Sequence, residues 1–233
     1  MTGWQGSYCG PAPIPVELVS RWNFDPWVLA VLAGLALLAG RNRCGAAAIA
    51  VLAIAFVSPL CALSSALFSA RVLHHVLLVA VAAPLFAISR PTRTHTRAGA
   101  PFLFATAVLW LWHVPDAYDA ALGHMALYWV MQASLFGSAV LFWRAVFSQP
   151  DGSGVGWVFL AYLAMGMLGA ILTLAPSSFY ATHAIAPLMW GFSPLADQQL
   201  GGLIMWMPAG LPFAVWGGLL ARRAWRSSAG EPE

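Results

Sequence analysis

The chain has 233 residues, of which 61% are hydrophobic and only 8% are charged, and its formal net charge is +3. Soluble domains average about 25% charged residues, so this composition excludes an ordinary soluble enzyme and indicates a protein embedded in lipid. All eleven basic residues are arginines, and they lie in short loops between apolar runs. We therefore interpret them as topology signals and predict no nucleic-acid partner.

Seven apolar runs have the composition of membrane-spanning helices, which need about 20 residues each. They are Trp27–Gly40, Gly45–Ser64, Val72–Ser89, Pro101–Val114, Ala126–Phe147, Val155–Leu174 and Leu200–Ala221. With seven spans, nine of the eleven arginines share one side, and the positive-inside rule makes that side cytoplasmic. The sequence therefore predicts an all-α membrane protein, a bundle of seven transmembrane helices with the N-terminus outside and the C-terminus in the cytoplasm.

This topology divides the chain into three parts. Residues 1–26 form an external Pro-rich tail, residues 27–221 form the transmembrane domain, and residues 222–233 form a cytoplasmic tail. The tail has no early apolar run, so we expect no cleavable signal peptide. Tryptophans near several span ends, Trp143 and Trp225 among them, are typical of interfacial anchors.

Five of the six histidines fall on the outer side of the predicted bundle, at positions 74, 75, 113, 124 and 183. Histidine is the commonest metal ligand, and helix bundles build their sites from side chains on facing helices. The second half of the chain also contains seven methionines, which are ordinary core residues but whose thioethers also select cuprous copper. We predict a copper site whose candidate ligands are His75, His113, His74, His124 and Met205.

Two cysteines have alternative interpretations. Cys9, in the external tail, is a candidate sulfur ligand, a thiol that exchanges with a partner, or an inert tail residue. Cys61 lies in an apolar run and is expected to be a small core residue, as free cysteine often is.

A polar stretch, Asp197-Gln198-Gln199, directly precedes the seventh span, with Trp206 a few residues further on. Asp197 is a candidate N-cap of that span, since aspartate is favoured there. Asp197, together with Gln198, Gln199 and Trp206, is also a candidate for orienting a metal-bound histidine without contacting the metal itself. No HExxH, Walker, GxGxxG or GxSxG motif is present, so we predict that the protein is not an enzyme.

Several short motifs together resemble the CtaG family of integral-membrane cytochrome c oxidase assembly factors. They are His75-Val76-Leu77-Leu78 with Ala83-Pro84-Leu85, Leu111-Trp112-His113-Val114-Pro115 with Tyr118, Phe142-Trp143, Gly169-Ala170-Ile171-Leu172-Thr173, and Leu195-Ala196-Asp197-Gln198-Gln199 with Met205-Trp206. The chain departs from the family at Arg71, where a histidine is usual, and at Tyr128 or Gln132, one of which replaces another histidine.

The resemblance implies a chaperone for a haem–copper oxidase of the respiratory chain, handling copper at the outer face of the bacterial inner (plasma) membrane. Its partners would be cytochrome c oxidase subunits and membrane lipid. Two alternatives stay open: a membrane haem-binding protein, with axial histidines from two helices, and a metal-ion transporter. The almost wholly apolar mid-span positions count against transport.

Overall fold

Every regular element in the described part of the chain is a helix. The computed structural model describes residues 8–91, 95–149 and 152–229. The helices are α1 (Pro26–Ala39), α2 (Arg43–Phe56), α3 (Leu60–Ala66), α4 (Phe68–Val76), α5 (Ala83–Ser89), α6 (Gly99–Leu111), α7 (Pro115–Gly123), α8 (Met125–Phe147), α9 (Gly154–Leu174), α10 (Pro194–Trp206) and α11 (Gly210–Ser228). A π-helical turn, Leu77–Ala82, joins α4 to α5, and 3₁₀ turns occur at Pro15–Ser20, Ala181–His183 and Ala186–Trp190. The predicted all-α class is confirmed for these residues.

Four helical segments are long and apolar enough to cross a membrane, namely Phe68–Ser89, Met125–Phe147, Gly154–Leu174 and Pro194–Ser228. Helices α2 and α3 would make a fifth span if they are counted together, although they meet at an angle of 44°. Helices α1 and α6 are apolar but shorter. Each of the seven predicted spans overlaps one of these segments, while the count of seven and the orientation of the termini stay predictions. The last helix continues through three arginines into the predicted cytoplasmic tail.

Three helix starts are fixed by a side chain that caps the first amides. Asp25 accepts a hydrogen bond from the Trp27 amide and precedes Pro26 at the start of α1. Asn42 accepts from two amides at the start of α2. Ser193 caps α10, whose first residue is Pro194. These residue types satisfy the amides that a helix leaves open, and proline has no amide to satisfy.

The π-helical turn before Pro84 is stabilised by two tryptophans from other helices. Proline lacks an amide and displaces the carbonyl four residues earlier, which is Ala80. The indole of Trp216 donates to that carbonyl at 3.1 Å, and the indole of Trp143 donates to the Val79 carbonyl at 2.8 Å. Inside a bilayer no water can replace such donors, so the two indoles satisfy the carbonyls of the widened turn.

Trp143 is therefore a core residue, which corrects its interpretation as an interfacial anchor. Its side chain is 1% exposed, whereas that of Trp225 is 76% exposed. The error arose because Trp143 lies near the end of a long span in sequence, but its indole points towards the turn between α4 and α5.

Helix α10 packs between α9 and α4, and glycines allow the close approach on both sides. A Cβ atom on Gly201 would lie 2.6 Å from the Phe68 ring of α4. A Cβ atom on Gly202 would lie 2.5 Å from the Gly169 carbonyl of α9. Both distances are shorter than real side-chain contacts allow, so these positions require glycine. The double glycine thus holds three helices together at one level of the bundle.

We expect Trp143→Phe to lower the free energy of unfolding by about 1–3 kcal/mol, because it leaves the Val79 carbonyl buried without a donor. Denaturant unfolding in detergent micelles would measure the change. Trp225→Phe is the matched control and should unfold like the wild type, since its ring is exposed. Equal stability of the Trp143 variant and the wild type would refute the role assigned to this indole.

Candidate metal-binding site

Three helices and the turn after α6 contribute one side chain each to a small cavity inside the bundle. The side chains are His75 from α4, His113 just beyond α6, Met165 from α9 and Met205 from α10. The cavity has a volume of about 10 Å³, and its other walls are aliphatic. All four side chains are buried, with exposed fractions between 2% and 6%. The cavity therefore collects two imidazoles and two thioethers away from solvent.

The two imidazole rings are held so that each keeps a nitrogen for a ligand. Their centroids are 6.2 Å apart and their planes meet at 77°. His113 Nδ1 lies 2.7 Å from the Leu109 carbonyl. A carbonyl can only accept, so Nδ1 carries the proton and Nε2 keeps its lone pair. The Nε2 atom of His75 has no hydrogen-bond partner among the described residues.

The other two predicted histidine ligands lie outside this cavity. His74 is buried, but its ring packs edge-on against Phe56 with 4.8 Å between centroids, and neither ring nitrogen makes a hydrogen bond of normal geometry. His124 is exposed where α7 meets α8, and its Nδ1 contacts the Ala120 carbonyl at 3.1 Å. Of the five predicted ligands, the cavity thus contains His75, His113 and Met205.

Met165 is the member of this cavity that the sequence did not identify. It is one of seven methionines in the second half of the chain, and Met167 lies two residues away. Residues two apart lie on different helix faces, but the nearly uniform apolar sequence of α9 does not indicate which face is buried. In the structure Met165 is 2% exposed and Met167 is 57% exposed. Packing of α9 against α10 therefore selects Met165.

Any metal site in this cavity would need the thioether sulfurs of Met165 and Met205 as ligands. Within residues 8–91, 95–149 and 152–229, no three His, Cys, Asp or Glu side chains come together in a way that could hold a metal ion. The cavity offers imidazole nitrogen and thioether sulfur without a carboxylate or thiolate. Soft sulfur and imidazole suit cuprous copper, whereas calcium and magnesium require oxygen ligands.

Asp197 caps a different helix from the one expected. Its carboxylate accepts hydrogen bonds from the backbone amides of Phe68 at 2.6 Å and Ser69 at 3.1 Å, at the start of α4. Phe68 lies 129 residues away from Asp197 in the sequence. The Ser69 hydroxyl also donates to it. Ser193 caps α10, so the predicted capping of that helix by Asp197 is wrong. Asp197 acts on the cavity indirectly, by fixing the helix that carries His75.

The other residues predicted to support a metal ligand bind backbone groups or face outwards. The Gln198 amide oxygen accepts from the Phe179 amide at 2.6 Å, and the Gln199 side chain donates to the Ala175 carbonyl at 3.4 Å. Trp206 is 44% exposed. The two glutamines therefore tie α10 to the end of α9 and to the loop that follows it.

Cys9 is joined to Cys61 by a disulfide, which attaches the N-terminal segment to the start of α3. This pairing was not predicted, and it changes the interpretation of both cysteines, since a disulfide sulfur is not a thiolate ligand. Cys9 Sγ lies 3.4 Å from the hydroxyl of Tyr128, and the guanidinium of Arg71 lies 5.4 Å from the centroid of that ring. Arg71 thus contacts Tyr128, and Arg71, Tyr128 and Gln132, where the sequence differs from the family pattern, all lie outside the cavity lining.

His183 fastens the loop between α9 and α10 to the rest of the bundle. Its Nδ1 donates to the Ala66 carbonyl at 3.2 Å, which leaves Nε2 to accept from the Tyr118 hydroxyl at 2.7 Å. Burial lowers the pKa of His183 to about 4 and raises the pKa of Tyr118. Both nitrogens are therefore used for structure, and His183 is not available as a ligand.

The lowered pKa of His183 predicts that the fold is less stable in acid. Neutral, buried His183 stabilises the fold fully above pH 6.5. This stabilisation is lost as the pH falls towards 4, and the free energy of unfolding then decreases by at most about 3 kcal/mol. We expect His183→Gln to be less stable than the wild type at pH 7.5 and to lose less stability between pH 6.5 and 4.5. Thermal unfolding in detergent across this range would measure both. His95→Gln, at an exposed position, is the control; parallel pH profiles for all three proteins would contradict the assignment.

The comparisons with known proteins identify the family. Residues 32–106 and 96–227 match the family model described as cytochrome c oxidase caa3 assembly factor (Caa3_CtaG). Comparison with curated proteins and with solved structures gives no significant match. The matched residues extend over most of the chain and include all four side chains of the cavity, and they confirm the resemblance found in the motifs. The chain therefore belongs to the Caa3_CtaG family of cytochrome c oxidase caa3 assembly factors.

Proposed function

We propose that this protein assists the maturation of a haem–copper cytochrome c oxidase by holding cuprous copper transiently near the outer face of the membrane. It acts as a non-enzymatic chaperone, and its partners are the oxidase subunits. The observation that carries the proposal is the convergence of His75, His113, Met165 and Met205 on one small cavity in a member of an oxidase assembly family.

The dimensions of the cavity favour one small ion. A metal–nitrogen bond of about 2 Å on each side of an ion fits between two imidazole rings whose centroids are 6.2 Å apart. A volume of about 10 Å³ is close to the space that a single water molecule needs. A haem would need far more room between α4 and α6, so the alternative of a haem protein has less support. A purified protein with a Soret band would restore that alternative.

The ligand chemistry favours the cuprous state. Neutral imidazoles and thioethers bring no negative charge into a buried region, and a monovalent ion loses less hydration energy there than a divalent one. Thioether sulfur also prefers cuprous copper over harder ions. Copper is the cargo of the protein in this proposal, so the affinity must permit release.

Two features support a topology of seven spans with an external N-terminus. Disulfides persist in oxidising compartments, so the bond between Cys9 and Cys61 supports an outer position for the N-terminal segment. Arg144 donates to the Arg90 carbonyl, and Arg223 lines the same pocket as Arg144, so arginines from three predicted cytoplasmic segments meet at one place. The positive-inside rule supports our proposal that this end faces the cytoplasm, and we propose a bacterial inner membrane as the location.

The copper site predicts a specific pattern of binding losses. We expect His75→Ala, His113→Ala, Met165→Leu and Met205→Leu each to weaken cuprous binding by about tenfold or more, which corresponds to about 1.4 kcal/mol. Anaerobic titration against a competing cuprous chelator would measure the affinities. Met167→Leu and His124→Ala are matched controls, because both residues are exposed. If wild type and variants bind copper equally weakly, the site does not hold copper.

A cellular assay separates delivery from scaffolding. We expect deletion of this protein to reduce oxidase activity and added copper to restore part of it, because excess copper bypasses a delivery factor. Complementation with His75→Ala or His113→Ala should restore less activity than complementation with the wild type or His124→Ala. Absence of rescue by copper, together with full complementation by the cavity variants, would favour a scaffolding role instead.

A further inference from the structure

The imidazole of His74 is fully buried where α4 meets α2, and it makes no hydrogen bond with the described residues. The Ala55 carbonyl attracts the ring, but not within hydrogen-bond geometry. Four other histidines, at positions 95, 113, 124 and 183, each place a ring nitrogen within 3.2 Å of a carbonyl. Inside a bilayer an unpaired polar ring is costly, because no water replaces the lost partners. This cost indicates that the ring of His74 has a binding role.

The rings of His74, His75 and His113 form a series. Their centroids are 5.8 Å apart from His74 to His75 and 6.2 Å apart from His75 to His113. Metal–nitrogen bonds are about 2 Å long, so an ion fits between two imidazoles at either separation. Neighbours on a helix point about 100° apart, which is why His75 lines the cavity and His74 does not. His75 can therefore share an ion first with one neighbour and then with the other.

The far side of His74 is covered by an aromatic ring that also lines a larger pocket. Phe56 packs edge-on against His74, with 4.8 Å between centroids. The same side chain lines a pocket of about 330 Å³ between α1, α2 and α8. Trp129 lines this pocket too, and its ring contacts that of Tyr8 in the N-terminal segment at 4.8 Å. The series of imidazoles thus runs from the wall of this pocket to the cavity.

The cavity offers an ion more ligands than the pair of His74 and His75 does. Two thioethers, from Met165 and Met205, lie beside His75 in the cavity. Among the described residues, His74 does not join His75 and His113 in a site with three nitrogens. An ion that passes from His74 into the cavity therefore exchanges one imidazole for one imidazole and two sulfurs. This exchange favours the cavity as the final position.

We propose that His74 is the entry ligand of the cavity, so that a cuprous ion binds between His74 and His75 before it reaches His113, Met165 and Met205. This inference rests on the proposed function. His75 stays bonded to the ion throughout, and the bond to His74 breaks as the bonds to His113 and the two sulfurs form. The copper stays cuprous, and no proton is transferred. His74 thus sets the rate of loading and not the final affinity.

Stopped-flow transfer of cuprous ion to the purified full chain tests this role. Anaerobic protein in detergent is mixed with the cuprous bicinchoninate complex, and the loss of visible absorbance gives the loading rate. We expect His74→Leu to load about tenfold more slowly than the wild type, because the first ligand is lost. Its equilibrium affinity should stay within about twofold of the wild-type value, since all four side chains of the cavity remain. His74→Met is the matched variant: methionine resembles leucine in size, but its thioether binds cuprous ion, so this variant should load nearly as fast as the wild type.

The possible outcomes distinguish this inference from the proposed function. A wild-type protein that binds no copper would refute both. If the wild type binds copper and His74→Leu loads at the same rate, only the entry role is refuted. An affinity loss in His74→Leu as large as that in His75→Ala would make His74 a ligand of the final site. Equal slowing by leucine and methionine would assign the effect to packing, and either of these two results would also overturn the entry role.

Discussion

The carboxylate of Asp197 joins two helices of the bundle at the level of the cavity that contains His75, His113, Met165 and Met205. Helix α4 begins directly after α3, and Leu67, the residue before it, has no side chain that can cap its first amides. Within a bilayer those amides have no water to bind, so another helix must satisfy them. Asp197 does so from α10. The start of the helix that carries His75 is therefore fixed relative to the helix that carries Met205.

The glycines around this bond decide how close the helices come. Gly201 lets α10 approach Phe68 of α4, while Gly202 and Gly169 let α10 and α9 meet backbone to backbone. In lipid, helix association depends on such close packing, because burial of apolar side chains gains little there. A larger residue at either glycine of α10 would separate the helices and move Met165 or Met205 away from the histidines. Asp197 and the double glycine thus stabilise the same contact region among α4, α9 and α10.

Local patterns in the sequence were sufficient for the helical class and for part of the cavity. Apolar runs predicted the helices, and residue type and position predicted His75, His113 and Met205 as candidate ligands. His74 was included because neighbours on a helix, about 100° apart, cannot be distinguished without the packing. Asp197 lies 129 residues away from Phe68, whose amide it accepts from, and Cys9 lies 52 residues away from Cys61. No local rule predicts such distant pairs. Trp143 was misassigned for the same reason, since the turn it supports belongs to another span.

One of the four side chains in the cavity lies outside the helices that Asp197 and the glycines join. His75, Met165 and Met205 belong to the three helices joined by Asp197 and the glycines. His113 lies beyond the last residue of α6, where its ring is fixed by the Leu109 carbonyl and its own carbonyl by the Tyr180 hydroxyl at 3.0 Å. Tyr180 belongs to the loop between α9 and α10, which is tied down by Gln198 and His183. His113 is therefore positioned by hydrogen bonds to its own turn and to this loop, whereas the other three side chains are positioned by packed helices. Two separate sets of contacts, one among helices and one between a turn and a loop, thus bring the two imidazoles and the two thioethers together.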